Sequence, residues 1–95
     1  MTPFTNVRRD RADGPYACPC CRYVTLSERG WYEICPVCFW EDDGQDDHDA
    51  NEVRGGPNHG LSLTEARQNF KDTGASDTRR IPMVRPPLPH EHPVL

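Results

Sequence analysis

The stretch YACPCCRYVTLSERGWYEICPVCFW, residues 16–40, contains all five cysteines of the chain in two short groups. The first group includes Cys18 and Cys21 and the second is Cys35 and Cys38, so a spacing of two intervening residues occurs twice. Two cysteines at this spacing can direct both sulfurs into one tight turn and supply two corners of a tetrahedral metal site. The doubled pattern predicts one metal ion held by four thiolates.

A proline follows the first cysteine of each pair, as Pro19 and Pro36. Its fixed backbone angle and missing N–H suit the start of such a turn. Cys20 is left over, because its use as a ligand would break the two-residue spacing, and we interpret it as a structural or incidental thiol. The odd number of cysteines disfavours a disulfide framework.

The predicted ion is one structural Zn²⁺. Four thiolates fill a tetrahedron and leave no open position for water, which argues against a catalytic metal. Zinc is the default for a closed sulfur site, with iron as the alternative. Binding at such sites provides on the order of 10–16 kcal/mol, as much as the usual stability of a whole domain. The ion would replace the large core that a chain of 95 residues lacks.

Composition narrows the function classes. The chain is 35% apolar and 27% charged, with ten prolines and a net charge of −4. Four zinc-bound thiolates bring this charge to about −6, which repels phosphate and makes a nucleic-acid partner unlikely. No apolar run reaches the length of a signal peptide core or a membrane span. We expect a single cytoplasmic domain, with no membrane and no small-molecule substrate.

Two segments between the cysteine pairs predict a β-hairpin. Tyr23–Leu26 and Trp31–Ile34 are rich in β-branched, aromatic and aliphatic residues, and SERG between them carries turn residues. The ends of a hairpin lie close together, so this one would bring Cys21 and Cys35 to the same metal ion. We also expect Trp31, Tyr32 and Trp40 to be buried and to cover the small core.

A helix is predicted over residues 61–74. Ser62 can cap its start, Glu65 completes a capping box, and Gly74 can end it. Its apolar residues recur at helical spacing and would rest on the hairpin. They are Leu63, Ala66 and Phe70.

The fold class that follows is a small α+β domain: a zinc-ribbon-like β-hairpin with two Cys-x2-Cys turns, one short helix and an extended proline-rich tail. The predicted parts are a flexible arm (1–15), the zinc hairpin (16–40), an acidic and glycine-rich loop (41–60), the helix (61–74) and the tail (75–95).

The acidic run EDDGQDDHDANE, residues 41–52, holds seven carboxylates and no lysine or arginine. It favours either a solvated loop or a recognition surface for a basic partner protein. A calcium loop is excluded because Phe39 stands where the pattern needs an acidic residue. The predicted partner-binding residues are Trp40, Glu41, Asp42, Asp43, Asp46 and Asp47.

All four histidines lie in predicted loops or in the tail, and we expect them to be exposed. A second metal site at His48 with Asp46 or Asp49 is a weaker alternative. The histidines are His48, His59, His90 and His92.

Several stretches resemble the cysteine-rich CPCC family of small bacterial proteins: YACPCCRYVTL, YEICPVCFWEDDG, GLSLTEARQNF, GAS and VRPPLPHE. The resemblance covers most of the chain, from Tyr16 to about Glu91. It implies a zinc-ribbon-like domain without an assigned activity, and it supplies no substrate.

The combined expectation is a non-catalytic zinc module that binds a partner protein through its acidic loop. A thiol oxidoreductase is a less favoured alternative, because a Cys-Pro-x-Cys turn can also be a dithiol active site. A nucleic-acid-associated zinc ribbon is the other alternative, through clustered arginines. These are Arg8, Arg9, Arg11, Arg79, Arg80 and Arg85.

Overall fold

The structure is a computed structural model that describes residues 6–10, 12 and 14–93. Its regular elements are strand β1 (Tyr16–Ala17), strand β2 (Val24–Leu26) and helix α1 (Leu63–Thr73). Short 3₁₀ helices complete the described part. They span Asp47–Asp49, Gly56–Asn58, Thr78–Met83 and Pro89–Glu91.

A two-stranded antiparallel hairpin is present, but it pairs different residues from those predicted. Strand β2 pairs with β1, in the register Tyr16 with Leu26, so the hairpin encloses the first cysteine turn. The segment Trp31–Ile34 does not join β2; instead Ile34 forms a bridge with Glu41 around the second cysteine turn. Each cysteine turn reverses the chain within four residues, so the nearest partner of each flanking segment lies across its own turn.

The predicted helix is confirmed. The Ser62 side chain accepts a hydrogen bond from the Glu65 N–H, and Glu65 returns the contact to complete the capping box. At the other end Gly74 adopts a left-handed conformation and its N–H donates to the Phe70 carbonyl at 2.8 Å. Leu63 and Ala66 are fully buried and seat the helix on the core.

The core is built around sulfur. Of the twelve buried apolar residues in the described part, five are cysteines. The largest is Trp40, which is fully buried as expected of an aromatic that covers a small core. The same expectation is wrong for Trp31 and Tyr32, which are 53% and 50% exposed. In the part of the chain that the structure describes, neither residue belongs to a strand, and the turn on which they lie stays half open to solvent.

The arm and the tail both contact the body. Part of the predicted flexible arm, residues 1–5, 11 and 13, lies outside the described residues. In the described part of the arm, the Val7 N–H donates to the Gly44 carbonyl, and the backbones of Arg9 and Arg29 form an antiparallel bridge. The predicted extended tail contains two 3₁₀ helices and crosses the second cysteine turn, where the Arg85 N–H donates to the Pro36 carbonyl.

Candidate metal centre

The four cysteines of the two pairs meet in one buried group. Their sulfur atoms all lie within 4.8 Å of one another. The Cys18 and Cys38 sulfurs are 3.6 Å apart, and those of Cys21 and Cys35 are 3.7 Å apart. A tetrahedron with metal–sulfur bonds of about 2.3 Å has edges of about 3.8 Å, so the group fits a tetrathiolate metal ion.

The same distances exclude disulfides within the group, since bonded sulfurs lie about 2.05 Å apart. All five cysteines are free and buried. Cys20 is 4% exposed, yet it is not among the four residues that the sulfur geometry gathers. The spacing argument therefore identified the four candidate ligands and the leftover residue.

The backbone of each turn holds its sulfurs in place. The Arg22 N–H donates to the Cys18 carbonyl at 2.8 Å, and the Phe39 N–H donates to the Cys35 carbonyl at 2.7 Å. Arg22 and Phe39 close these turns with positive φ angles of 72° and 66°. This left-handed region is unfavourable for residues with a side chain. Both turns therefore have the same unfavourable backbone conformation at the same position, directly after the second cysteine.

The four sulfurs lie close enough to shift one another's pKa values. Burial raises the pKa of the Cys18 thiol well above its usual value. The contact with Cys18 raises the pKa of the Cys38 thiol, while contacts with the other sulfurs, Cys18 first, lower the pKa of the Cys35 thiol. One sulfur is thus stabilised as thiolate at the expense of its neighbours. Four thiolates together require a positive ion among them.

One side chain at this centre was not found by sequence reasoning. The Thr25 hydroxyl in β2 donates a hydrogen bond to the Cys35 sulfur at 3.0 Å. The one signal in the sequence was the alternation of side chains along a strand, which places Thr25 on the face opposite to Val24 and Leu26.

The acidic run is not the surface loop that its composition suggests. Asp42 is fully buried, and its carboxylate accepts hydrogen bonds from the Arg29 side chain at 2.9 Å and the Gly30 N–H at 2.7 Å. Arg29 also pairs with Asp46 at 3.0 Å. Burial opposes the charge of Arg29, but Asp42 and Asp46 outweigh it and raise the pKa of the guanidinium.

A second arginine organises the other half of this run. Arg54 pairs with the buried Asp49 and donates to the Asp43 carbonyl at 2.9 Å. Asp43 is 5% exposed, and burial raises the pKa of its carboxyl group. Asn58 completes the arrangement by donating to the Glu41 carbonyl at 2.8 Å.

The predicted partner surface therefore needs correction at Trp40, Asp42 and Asp43. These three residues are 0%, 0% and 5% exposed, because the arginines and the core enclose them. Glu41 and Asp46 are partly buried. Asp47 is the exposed member, with 71% of its side chain accessible, and hydrogen bonds from Arg22 and then Arg67 lower the pKa of its carboxyl group.

The arginines proposed for nucleic-acid binding are mostly engaged. Arg79 pairs with Asp77, and Arg85 pairs with Glu91. Arg8 lies over the Trp31 ring and Arg80 over the Phe39 ring, at 4.8 Å and 5.3 Å from the ring centres. Arg9 is exposed, and Arg11 falls outside the described residues.

The four histidines are exposed, as expected. His48 lies 3.6 Å from Asp49. Across residues 6–10, 12 and 14–93, the four-cysteine group is the one cluster with metal-binding geometry, so the weaker alternative of a second site at His48 gains no support.

A small α+β domain with four buried, clustered cysteines defines a class of proteins, the cysteine-rich metal-binding modules. The family model described as Cysteine-rich CPCC matches residues 16–91, and the chain belongs to this family. No curated protein and no solved structure matches the chain. In the described part, no helix has both the length and the apolar character to cross a membrane.

Proposed function

We propose that this protein is a structural zinc module in which Cys18, Cys21, Cys35 and Cys38 hold one Zn²⁺. The observation that supports this most directly is the burial of four sulfurs that all lie within 4.8 Å of one another, with two of their separations at 3.6 Å and 3.7 Å. Zinc supplies two positive charges at the point where the folded chain gathers thiolates, and this charge stabilises the group.

The proposed role of the ion is to hold the fold. The two cysteine turns lie in separate parts of the chain, and the strand pairing beside each turn runs across that same turn. The ion joins them at the centre of a core in which cysteines are the most frequent buried apolar residue. Because four sulfurs leave no open coordination position, we assign the protein no catalytic activity.

Metal analysis of protein prepared under reducing conditions tests this proposal. We expect one equivalent of zinc per chain, bound without iron. Removal of the ion with a strong chelator should abolish the tertiary near-ultraviolet circular dichroism, and added Zn²⁺ should restore it. Protein that contains no metal and keeps its fold after chelation contradicts the proposal.

The cysteine that spacing left over provides a matched control. Cys20→Ser removes a buried thiol from the same turn and should keep one equivalent of zinc. Cys21→Ser removes a proposed ligand and should lose it. Equal zinc content in the two variants would contradict the ligand assignment.

A disulfide-reduction assay tests the oxidoreductase alternative. Turnover by the zinc-loaded protein would support that alternative and contradict a purely structural role.

We also propose that the module acts by binding a partner protein in the cytoplasm, through the exposed part of its acidic segment. Asp47 supports this, because it is the accessible carboxylate of the predicted set. Hydrogen bonds from the side chains of Arg22 and Arg67 fix the orientation of its carboxylate. Recovery of a co-purifying protein should fall with Asp47→Lys and stay unchanged with Asp72→Lys, which reverses an exposed charge on α1. Equal recovery with both variants contradicts this surface.

A further inference from the structure

The hydroxyl of Thr25 lies against one of the four sulfurs. Its oxygen is 3.0 Å from the Cys35 sulfur, within a partly buried part of the molecule. Cys35 itself is 0% exposed. A threonine hydroxyl has one proton to donate, and a metal-bound thiolate can only accept, so the direction of this hydrogen bond is settled by chemistry.

The backbone gives this contact little freedom. Thr25 is the middle residue of β2, between Leu26, which pairs with Tyr16, and Val24, which pairs with Ala17. The register shifts between these two pairs, so Thr25 lies at a β-bulge, a feature that redirects a side chain. Leu26 is fully buried in the core beside it. A β-branched side chain also has restricted rotamers, so the hydroxyl is held in position before the metal binds.

We propose that Thr25 is a positioning residue of the metal centre, which orients the Cys35 sulfur and withdraws negative charge from it. This inference rests on the proposed metal-binding function. Hydrogen bonds to metal ligands fix ligand orientation and strengthen binding, and loss of such a partner typically reduces metal affinity about 10–100-fold. The hydrogen bond makes Cys35 electronically different from the other three ligands.

Two substitutions separate the hydroxyl from the shape of the side chain. Thr25→Val keeps the branched shape and removes the donor, while Thr25→Ser keeps the donor and removes a methyl group. If the hydroxyl acts on the sulfur, valine impairs the site and serine retains it. If Thr25 only fills space in the strand, the order is reversed.

The experiment uses the full chain loaded with Co²⁺, which reports on its sulfur ligands through sulfur-to-cobalt charge-transfer absorption. Thr25→Val should move this band to lower energy, because the Cys35 lone pair is no longer stabilised. Competition with a chelator should show an affinity loss of about 10–100-fold. Thr25→Ser should restore both values.

Thr64→Val is the matched control, since its hydroxyl donates to the Asn51 side chain at 2.6 Å in an exposed position. It should leave the band and the affinity unchanged. If valine at position 25 prevents folding, the pair Thr25→Ser and Thr25→Ala makes the same comparison. A wild-type band and affinity without the hydroxyl overturn the inference about Thr25 alone. Wild-type protein that binds neither Co²⁺ nor Zn²⁺ overturns the metal centre as well.

Discussion

The cysteine turns bury thiols and the acidic run that follows them buries carboxylates, and the two regions can balance negative charge in different ways. The four sulfurs at 18, 21, 35 and 38 form a group with the geometry to hold an external cation, which would stabilise them as thiolates. In the acidic run, the chain supplies its own cations as Arg29 and Arg54. The comparison teaches that a run of like charges can be an interior feature when arginines from elsewhere in the chain reach it.

The largest effect is expected at the cysteines. Cys35→Ala should prevent folding at ordinary temperature, because the ion contributes on the order of 10 kcal/mol and the variant offers only three ligands. Near-ultraviolet circular dichroism and zinc content measure the loss. Cys20→Ala removes a thiol of the same size from the same core and should fold with zinc bound.

The second effect is expected where the chain provides its own cation. Arg29→Met leaves the carboxylate of Asp42 buried and unpaired, which should cost about 3–5 kcal/mol. Denaturant unfolding of the zinc-loaded protein measures the change. Arg22→Met is the surface control, because Arg22 and Asp47 are 53% and 71% exposed, and it should cost no more than about 1 kcal/mol. Equal losses would remove the distinction between interior and surface pairs.

The third effect is expected at Gly30, which follows Arg29 and lies against the N-terminal segment at Val7. Gly30 has a φ of 73°, and a Cβ there would lie 2.3 Å from the Val7 carbonyl oxygen. Gly30→Ala should cost about 3 kcal/mol, because backbone strain and a backbone clash combine.

Gly55→Ala separates these two causes. Gly55 has a φ of 76°, but apart from its chain neighbours no atom of the described residues lies within 4 Å of an added Cβ. Strain alone should cost about 1–2 kcal/mol. Equal losses of unfolding free energy in the two variants would show that the backbone at Val7 does not lie against Gly30 in solution.

The smallest effect concerns the tail. Two hydrogen bonds from Arg85, each 2.8 Å long, lower the pKa of Glu91 to about 2 from its usual 4.5. Because the folded pKa is depressed, this contribution is present above about pH 4.5 and is lost as the pH falls toward 2. Glu91→Gln should release the tail at neutral pH, seen as faster amide exchange over residues 84–92. Global unfolding should stay nearly unchanged.

The features that were predicted correctly depend on residues close together in the chain. Cysteine spacing identified the four sulfurs that meet in one group, and Ser62, Glu65 and Gly74 identified the ends of α1. A hairpin was correctly expected, but its second strand was wrong, because the four-residue cysteine turn offered β2 a nearer partner than the segment Trp31–Ile34 did. Both strand segments were suitable for pairing, so local sequence preference could not choose between them.

The acidic run was misjudged for a different reason. Asp42 and its main partner, Arg29, are thirteen residues apart, and no local pattern joins them. Asp49 and Arg54 are closer, but their pairing depends on the chain turning between them. Composition reports which charges are present, whereas burial depends on the path of the backbone. Thr25 was missed because its alternation with Val24 and Leu26 gives only its face of the strand, whereas its contact with Cys35 depends on the path of the chain.

The two tryptophans of this chain lie in opposite surroundings. Trp40 is fully enclosed, and its indole N–H has no hydrogen-bond acceptor among the described residues, while Trp31 is half exposed beside a guanidinium. The fluorescence maximum of Trp40 should lie at a shorter wavelength than that of Trp31. Single-tryptophan versions of the protein would thus carry separate optical reporters for the interior and for the outer turn, without an added dye.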